Sequence, residues 1–373
     1  MSMVEWKKLG DVCEVLDSRR KPVSKGKRNE GVYPYYGANG IQDYVDDYIF
    51  DGAYLLMGED GSVINADKSP VLHWATGKIW VNNHAHVLAE NNSSLLRYLY
   101  YILQCTDVSD IVRGVPPKIN QANMRNLLIP IPSLQEQQRI VGILDTFTSS
   151  IENLKEQITQ RRKQYEYYRD QLLDLEGKAG VEMKNIKDIA LTKVGPFGSL
   201  LHKKDYIRGG VPLVNPVHMS DGFVHCDDSF TVSSEMAESL SNYRLKINDI
   251  VFARRGEIGR CAIITDKEKG FLCGTGSLIV RFKEMVDSKY MLFIFLSPYC
   301  RRYLEKNAIG GSMLNINCDI VNRMSVPLPP LQEQQRIVSI LDTFEASIRN
   351  LEEQLAQRQK QYEYYRNKLL TFE

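Results

Sequence analysis

The sequence predicts an α+β protein: two globular, mixed α/β domains separated by a long antiparallel two-helix coiled coil, with pseudo-two-fold symmetry. Three observations predict it. The stretch LQEQQRIV starts at Leu134 and again at Leu331, an offset of 331 − 134 = 197 residues. Around it a gapless match runs from Ile129 to Leu173 and from Val326 to Leu370, about seven positions in ten being identical, which composition alone does not produce. Before each copy lies a segment of short β-branched and aromatic runs, such as DIVFA and CAIIT, divided by Gly, Asp and Asn turns.

The duplicated stretch reads as helix because its apolar and aromatic positions step by four and three. Phe147, Ile151, Leu154, Ile158, Arg161, Tyr165, Tyr168 and Leu172 are matched by Phe344, Ile348, Leu351, Leu355, Arg358, Tyr362, Tyr365 and Leu369. A 3.5-residue period held this long is a coiled-coil seam, and the other copy is the obvious partner. About 40 residues at about 1.5 Å each make a rod of about 60 Å. Pro130 and Pro132 precede the first helix, and Ser133 with Glu136 has the spacing of a capping box; in the second copy Pro330 stands at the cap position. Arg161 and Arg358 fall on the seam, where a charge sets register, meets an outside acid or snorkels to solvent on its aliphatic stem.

The globular segments share three looser landmarks. Each opens on a short amphipathic piece, WKKLGDV at Trp6 and MKNIKDI at Met183. Each has a proline-centred strand start, GVYPYYG at Gly31 and GGVPLVN at Gly209. Each closes with an apolar helix (LRYLYYIL, YMLFIFL), then a glycine loop, RGVPPKINQ at Arg113 and IGGSMLNIN at Ile309, then prolines. The expected division is a first globule over 1–130, a central helix over 131–178, a second globule over 179–327 and a C-terminal helix over 328–373. Antiparallel rods would place the globules at opposite ends, related by an approximate two-fold.

A chain of 373 residues suits two or three domains of roughly 100–200 residues. Its 47 Lys and Arg nearly balance 46 Asp and Glu, so attraction to a polyanion must come from local clusters. The apolar run Tyr290–Leu296 is far short of the roughly 20 residues that span a bilayer, and MSMVEWKK lacks a signal peptide's apolar core. A cytoplasmic protein without membrane contact is expected. The seven cysteines are odd in number and never in CxxC spacing, which predicts reduced thiols in place of disulfides or zinc sites.

No GxxxxGK[ST] phosphate loop and no GxSxG elbow occurs. His84 and His86, one residue apart on an expected strand, would point the same way and are the best metal candidate; packed or hydrogen-bonded histidines are the plainer expectation. Glu59 and Asp60 sit in MGEDGSV, where acids commonly serve a turn. Binding features are richer. Arg19, Arg20, Lys21, Lys25, Lys27 and Arg28 run into Tyr33, Tyr35 and Tyr36, while Lys203, Lys204, Arg208, Arg254, Arg255 and Arg260 form basic clusters in the second globule. Basic side chains on turns and glycine-supported loops suit phosphates; Arg also reads guanine, and Asn or Gln reads adenine. The glycine loops add Arg113, Lys118, Asn120 and Gln121 in one copy and Asn315 and Asn317 in the other. A helix-capping role is the alternative for the asparagines.

The duplicated P-x-P-x-LQEQQRIV-x-ILD, the loop PKINQANMRNLLIPIP before it, GVYPYYGANGI with LLMGEDGSV, and RRGEIGRC resemble the specificity subunit of Type I restriction-modification enzymes across essentially the whole chain. That resemblance implies that each globule is a target-recognition domain reading one half of a bipartite double-stranded DNA sequence, with the rods setting the unread gap. It implies no catalytic site, cofactor or metal in this chain. Two modification subunits would supply S-adenosylmethionine-dependent adenine methylation, and restriction subunits would supply ATP- and Mg-dependent translocation and cleavage. Gln135, Gln138, Arg139, Tyr165 and Tyr168, with Gln332, Gln335, Arg336, Tyr362 and Tyr365, are then candidate docking positions for the modification subunits. A DNA-modifying enzyme in its own right and a coiled-coil scaffold are the rival readings.

Overall fold

The computed structural model describes residues 4–257, 259–309 and 315–372. Ile258 of RRGEIGRC and residues 310–314 of the second glycine loop therefore lie outside the described residues. By internal packing the chain groups into two units, Met1–Glu156 with Glu352–Glu373, and Gln157–Leu351. Each long helix thus belongs partly to one unit and partly to the other.

Unit 1 begins with β1 (Glu5–Lys8), the one-turn helix α1 (Leu9–Val12), β2 (Glu14–Val15), β3 (Glu30–Gly37), β4 (Gly40–Val45), β5 (Phe50–Gly58), β6 (Leu72–Val81) and β7 (Ala85–Ala89). Helix α2 (Leu96–Leu103), the short α3 (Gln121–Arg125), β8 (Leu128–Ile131) and the long α4 (Leu134–Leu173) follow. Six strands lie in the order β2-β7-β5-β6-β3-β4. Their pairings are antiparallel except β3 with β6. β5 sits inside this sheet, and its apolar end YLLMG is buried on both faces. Alternation along the strand sends Leu55 and Met57 into the core under α2, and Tyr54 and Leu56 into a second core with Phe50 and Ile79.

Unit 2 continues with β9 (Glu182–Asn185), α5 (Ile186–Ile189), β10 (Ala190–Val194), β11 (Tyr206–Ile207), β12 (Val211–Val214), β13 (Met219–Ser220), β14 (Phe223–Val224), β15 (Thr231–Val232) and α6 (Ser234–Ser239). Then come β16 (Ile250–Ala253), β17 (Cys261–Ile263), β18 (Leu272–Cys273), β19 (Ser277–Phe282), α7 (Ser288–Leu296), α8 (Pro298–Asn307), α9 (Cys318–Asn322), β20 (Ser325–Leu328) and the long α10 (Leu331–Leu370). An antiparallel sheet β10-β19-β16-β17 is accompanied by a second sheet, β11-β15-β12-β18. β16 repeats the two-core arrangement, with Ile250 and Phe252 in one core and Val251 and Ala253 in the other. Helix α7 is apolar all round, as expected of a helix buried from Tyr290 to Phe295.

The junction between globule and long helix is built twice from the same parts. β1 pairs with β8 in the register Glu5↔Ile131, and β9 pairs with β20 in the register Glu182↔Leu328. The first tyrosine of each apolar helix makes an equivalent bond: Tyr98 donates to the Pro130 carbonyl at 2.7 Å and Tyr290 to the Pro327 carbonyl at 2.8 Å. In the first turn of α4 the buried Gln137 accepts from the Leu95 amide at 2.9 Å and donates to the Pro132 carbonyl at 2.9 Å. Gln334 does the same in α10, accepting from the Asp287 amide at 2.8 Å and donating to the Pro329 carbonyl at 2.8 Å. An ion pair joins the apolar helix to the long helix in both units, Arg97 with Asp145 and Lys289 with Asp342. The predicted capping box is half formed. Ser133 Oγ accepts from the Glu136 amide, but the Glu136 carboxylate engages Arg139, as Glu333 engages Arg336.

Within each unit the start of one long helix meets the end of the other. In unit 1 the Phe147 ring stacks on Tyr365 at 5.3 Å and lies under Arg358 at 5.7 Å, while Leu144 and Leu370 share a core. In unit 2 Phe344 stacks on Tyr168 at 5.4 Å and lies under Arg161 at 5.9 Å, while Leu341 and Leu173 share a core. Residue numbers rise along one helix as they fall along its partner, so both crossings are antiparallel. The seam arginines lie over aromatic faces, a cation–π use that reconciles a charge with a seam position.

A position next to the seam phenylalanine differs between the copies. Where α4 has Thr148, α10 has Glu345, which accepts from the Tyr165 hydroxyl at 3.1 Å. Burial raises the Glu345 carboxyl above its usual range, Asp342 adds to the shift, and Tyr165, Lys289 and Arg349 oppose it. A raised acid binds its proton more tightly in the folded state, so this carboxyl costs stability as pH rises above the ordinary glutamate range. Glu345→Gln keeps an acceptor for Tyr165 and removes the ionisation. The expected outcome is that urea midpoints of the variant and the unaltered protein converge at pH 4 and that the variant becomes the more stable at pH 8; parallel curves would contradict it.

Candidate nucleic-acid interface

Four segments distant in sequence meet at one end of the β5–β7 pair in unit 1. After β2 come Asp17 and Arg20; Glu59 follows β5; His86 lies in β7; Lys118 and Gln121 lead into α3. Arg20 donates to Glu59 at 2.5 Å and to the Ala85 carbonyl at 2.9 Å. Lys118 Nζ reaches the other Glu59 oxygen at 3.1 Å. Asp17 accepts from the Val87 amide at 2.9 Å and from Gln121 at 2.8 Å, and it faces His86 Nδ1 at 2.6 Å. His86 is fully buried, and its Nε2 faces the Ile119 carbonyl at 2.8 Å. A carbonyl only accepts, so that nitrogen carries a proton.

Burial opposes ionisation of Asp17, but the bonds from His86, Gln121 and the Val87 amide hold its carboxyl below the usual range. Burial likewise opposes ionisation of Glu59, and Arg20, His86 and Lys118 together outweigh it. Among the described residues Asp17, Glu59 and His86 are a group whose potential ligand atoms lie within 4.8 Å of one another. Arg20, Lys118 and Gln121 already take those oxygens, so the cluster is an ion-pair hub that fastens loops to the sheet. The expectation that His84 and His86 share a strand face is corrected: His84 is exposed in the turn before β7 and pairs with Asp60, whereas His86 points inward.

The hub divides the basic run. Lys21, Lys25 and Lys27 are exposed, as is Arg19, whose guanidinium covers Phe50 at 4.8 Å. Arg20 faces inward to Glu59, and Arg28 lies 4.1 Å over the Tyr35 ring while pairing with Asp43 at 3.1 Å. Tyr35 is corrected as a DNA-binding candidate, since it is 1% exposed, covered by Arg28, and bonded through its hydroxyl to Val23. Arg113 and Lys118 are exposed on the glycine loop. Asn120 accepts from the Asn123 amide at 2.8 Å and Asn317 from the Ile320 amide at 2.9 Å, so both cap helices, α3 and α9, and the alternative given for them holds. Gln121 is bonded to Asp17.

In unit 2, Lys203, Lys204 and Arg208 are exposed around the turn before β11 and just after it. Arg254 donates to the Ile316 carbonyl at 3.2 Å; Arg260 donates to the Pro216 carbonyl at 3.2 Å and pairs with Glu257. Arg255 is exposed. The glycine loop docks on a strand end in the same way in both units. Lys118 bridges to Arg113 and to Asp60; Asn315, 197 positions later (315 − 118 = 197), bridges to Ile309 and to Arg255. The charge differs: a basic residue, Lys118, meets the acidic Asp60 in unit 1, and a neutral one, Asn315, meets the basic Arg255 in unit 2.

On the long helices Gln135, Gln138, Arg139, Gln332, Gln335 and Arg336 are exposed. Tyr165 bonds Glu345 and Tyr362 bonds Gln104, so both are partly buried within their own unit. Tyr168 and Tyr365 keep one face in solvent, beside the more exposed Tyr167 and Tyr364. Sequence reasoning missed Gln137 and Gln334. The signal was present, because a glutamine spaced with Ile140 and Leu144 lies on the buried face of α4. It also missed the Asp17–Glu59–His86 hub, whose members lie far apart in the chain.

The hub generates a stability prediction. Glu59→Gln leaves Arg20, His86 and Lys118 facing one carboxylate, and breaking such a half-buried network costs about 3 kcal/mol. Urea unfolding of the full chain, followed by the fluorescence of Trp74 and Trp80 in β6, should show an earlier transition by that amount, whereas Asp60→Asn should shift it by less than about 1 kcal/mol. Equal shifts would contradict the hub. Because both hub carboxyls are lowered, its stabilisation is full above the ordinary carboxylate range and is lost as pH falls through the lowered values.

The profile of the family described as Type I restriction modification DNA specificity domain matches residues 1–161 and 178–358. A Haemophilus influenzae chain assigned as a type I restriction enzyme specificity subunit is 34% identical over 390 residues, covering 100% of this chain and 96% of its own. The EcoR124I/EcoR124II specificity subunit of Escherichia coli is 28% identical over 406 residues, covering 99% of this chain and 94% of that one. Among solved structures, the S subunit of a Type I restriction-modification system from M. genitalium has a TM-score of 0.66 at 15% identity, covering 100% of this chain and 97% of its own. One from Thermoanaerobacter tengcongensis has a TM-score of 0.52 at 16% identity, covering 98% and 96%. The structural likenesses establish the shared fold, and the profile and the Haemophilus relative establish kinship: the chain belongs to the Type I restriction-modification DNA specificity family.

Proposed function

We propose that this chain is the DNA-recognising subunit of a Type I restriction-modification enzyme, with each unit reading one half of a bipartite duplex target. In unit 1, Arg19, Lys21, Lys25, Lys27, Arg113 and Lys118 meet the DNA; in unit 2, Lys203, Lys204, Arg208 and Arg255 do. These are the exposed members of the basic clusters, and most of their contacts are to phosphate. The two long helices pair as a coiled coil that sets the unread spacer. The exposed residues of their first turns, Gln135, Gln138 and Arg139 with Gln332, Gln335 and Arg336, and the solvent faces of Tyr168 and Tyr365 dock two modification subunits. Catalysis resides in the partners: methylation with S-adenosylmethionine in the modification subunits, ATP- and Mg-dependent translocation and cleavage in the restriction subunits. The assembly works on DNA in the cytoplasm; among the described residues no helix is long and apolar enough to cross a membrane.

The observation that carries this reading is the twofold construction of the junction, with Gln137 and Gln334 in matched bonds while the strands beyond it differ. A shared mount with unlike globules suits one kind of partner held twice and two different sequences read. Exchanging Met1–Leu128 for the equivalent segment of a relative should change one half of the methylated sequence, mapped on genomic DNA from cells with and without the chain and its modification subunit. A change in both halves would contradict independent reading.

A further inference from the structure

The first glycine loop is a narrow projection fastened at its base. Arg113 and Lys118 exchange both backbone bonds, at 2.9 and 2.8 Å, and close Gly114–Pro117 into a four-residue tip. The Gly61 amide donates to the Pro117 carbonyl at 2.9 Å, and the Ile119 amide donates to the Glu59 carbonyl at 2.8 Å. Lys118 Nζ reaches the Glu59 carboxylate, and the Ile119 carbonyl meets buried His86. The base of the loop is therefore held by the hub on one side and by the strand end on the other.

The tip itself is apolar and fully offered to solvent. Val115 is 100% exposed, and Gly114, Pro116 and Pro117 are exposed around it. None of the four has a side chain able to donate or accept a hydrogen bond, so the tip has no means of reading base edges by their donor and acceptor pattern. Cationic groups stand where the loop begins and ends, Arg113 and Lys118, both exposed. Lys21 is exposed next to Arg20, whose guanidinium reaches the same Glu59 carboxylate.

We propose that Gly114–Pro117 is a wedge that enters the minor groove of the half-site bound by unit 1 and presses Val115 and Pro116 against a base step. The proposal rests on the DNA-recognition reading above and deepens it. Proteins that bend duplexes insert apolar side chains, proline among them, between base steps and hold the flanking phosphates with basic groups. A four-residue tip suits a groove about 6 Å wide. Its two-sided fastening means that little conformational freedom is lost on insertion. The wedge reads the deformability of the step, favouring flexible pyrimidine–purine steps.

The test uses the full chain assembled with its modification subunits and the duplex found by methylation mapping, with 2-aminopurine placed in turn at each step of the half-site. Binding should raise the fluorescence severalfold at one step. Val115→Asp should abolish that rise and weaken specific over non-specific binding at least about tenfold, the cost of one lost base-pair discrimination. Val115→Leu should preserve the rise. Arg113→Ala should keep it while lowering the slope of log affinity against log salt by about one. Thermal unfolding should be unchanged in all three, since both side chains are exposed. A Val115→Asp protein that binds with the fluorescence rise intact overturns the wedge alone. An unaltered assembly with no salt-dependent DNA binding overturns the DNA-recognition reading, and the wedge with it.

Discussion

Gln137 and Gln334 hold each long helix to the globule that precedes it. Each is buried, and each ties an amide at the start of the apolar helix to a carbonyl of the proline lead-in; Gln334 also donates to the Met285 carbonyl at 3.4 Å. Leaving one such buried group unpaired costs about 1–3 kcal/mol, and removing the glutamine orphans two. The neighbouring contacts reinforce the mount. A tyrosine hydroxyl ties the apolar helix to the proline strand, and an ion pair ties it to the second turn beyond the glutamine. A globule fixed this way is bonded to its helix at three points, as the spacing role proposed for the long helices requires.

On this shared mount the two units carry unlike surfaces. The glycine loop docks on a strand end through equivalent bridges, yet Lys118 on Asp60 becomes Asn315 on Arg255. Moving the positive charge from loop to strand end keeps the backbone bridges and changes what each surface attracts. Burial enforces the rest. β5 and β16 each divide their side chains between two cores, so their register cannot slip by one residue without moving apolar groups out of both.

The long helices were legible in the sequence because a repeat and a 3.5-residue period name the same residues, and α4 and α10 carry the 197-residue offset at both ends. The seam aromatics Phe147, Phe344, Tyr168 and Tyr365 were legible for the same reason. Less of the candidate site could be read. Arg20 and Lys21 are neighbours in one basic run, one turned inward to Glu59 and the other to solvent, and a loop has no period to distinguish them. Tyr35 looked available beside basic residues, but the end of its strand is buried without a break over Tyr35, Tyr36 and Gly37. The ion pairs Arg97–Asp145 and Lys289–Asp342 are equivalent in space yet hidden in sequence. The offset is 289 − 97 = 192 on one side and 342 − 145 = 197 on the other, because the connection between apolar helix and long helix differs in length.

Amide hydrogen exchange in the native protein, resolved at Leu95 and Asp287, tests the glutamine mount most directly. Both amides should exchange slowly in the unaltered chain, although each lies just outside a helix. In Gln137→Leu the Leu95 amide should lose its protection while Asp287 keeps it, and in Gln334→Leu the pattern should reverse. Fast exchange at both positions in the unaltered chain, or no response of either amide to the substitution beside it, would contradict the account.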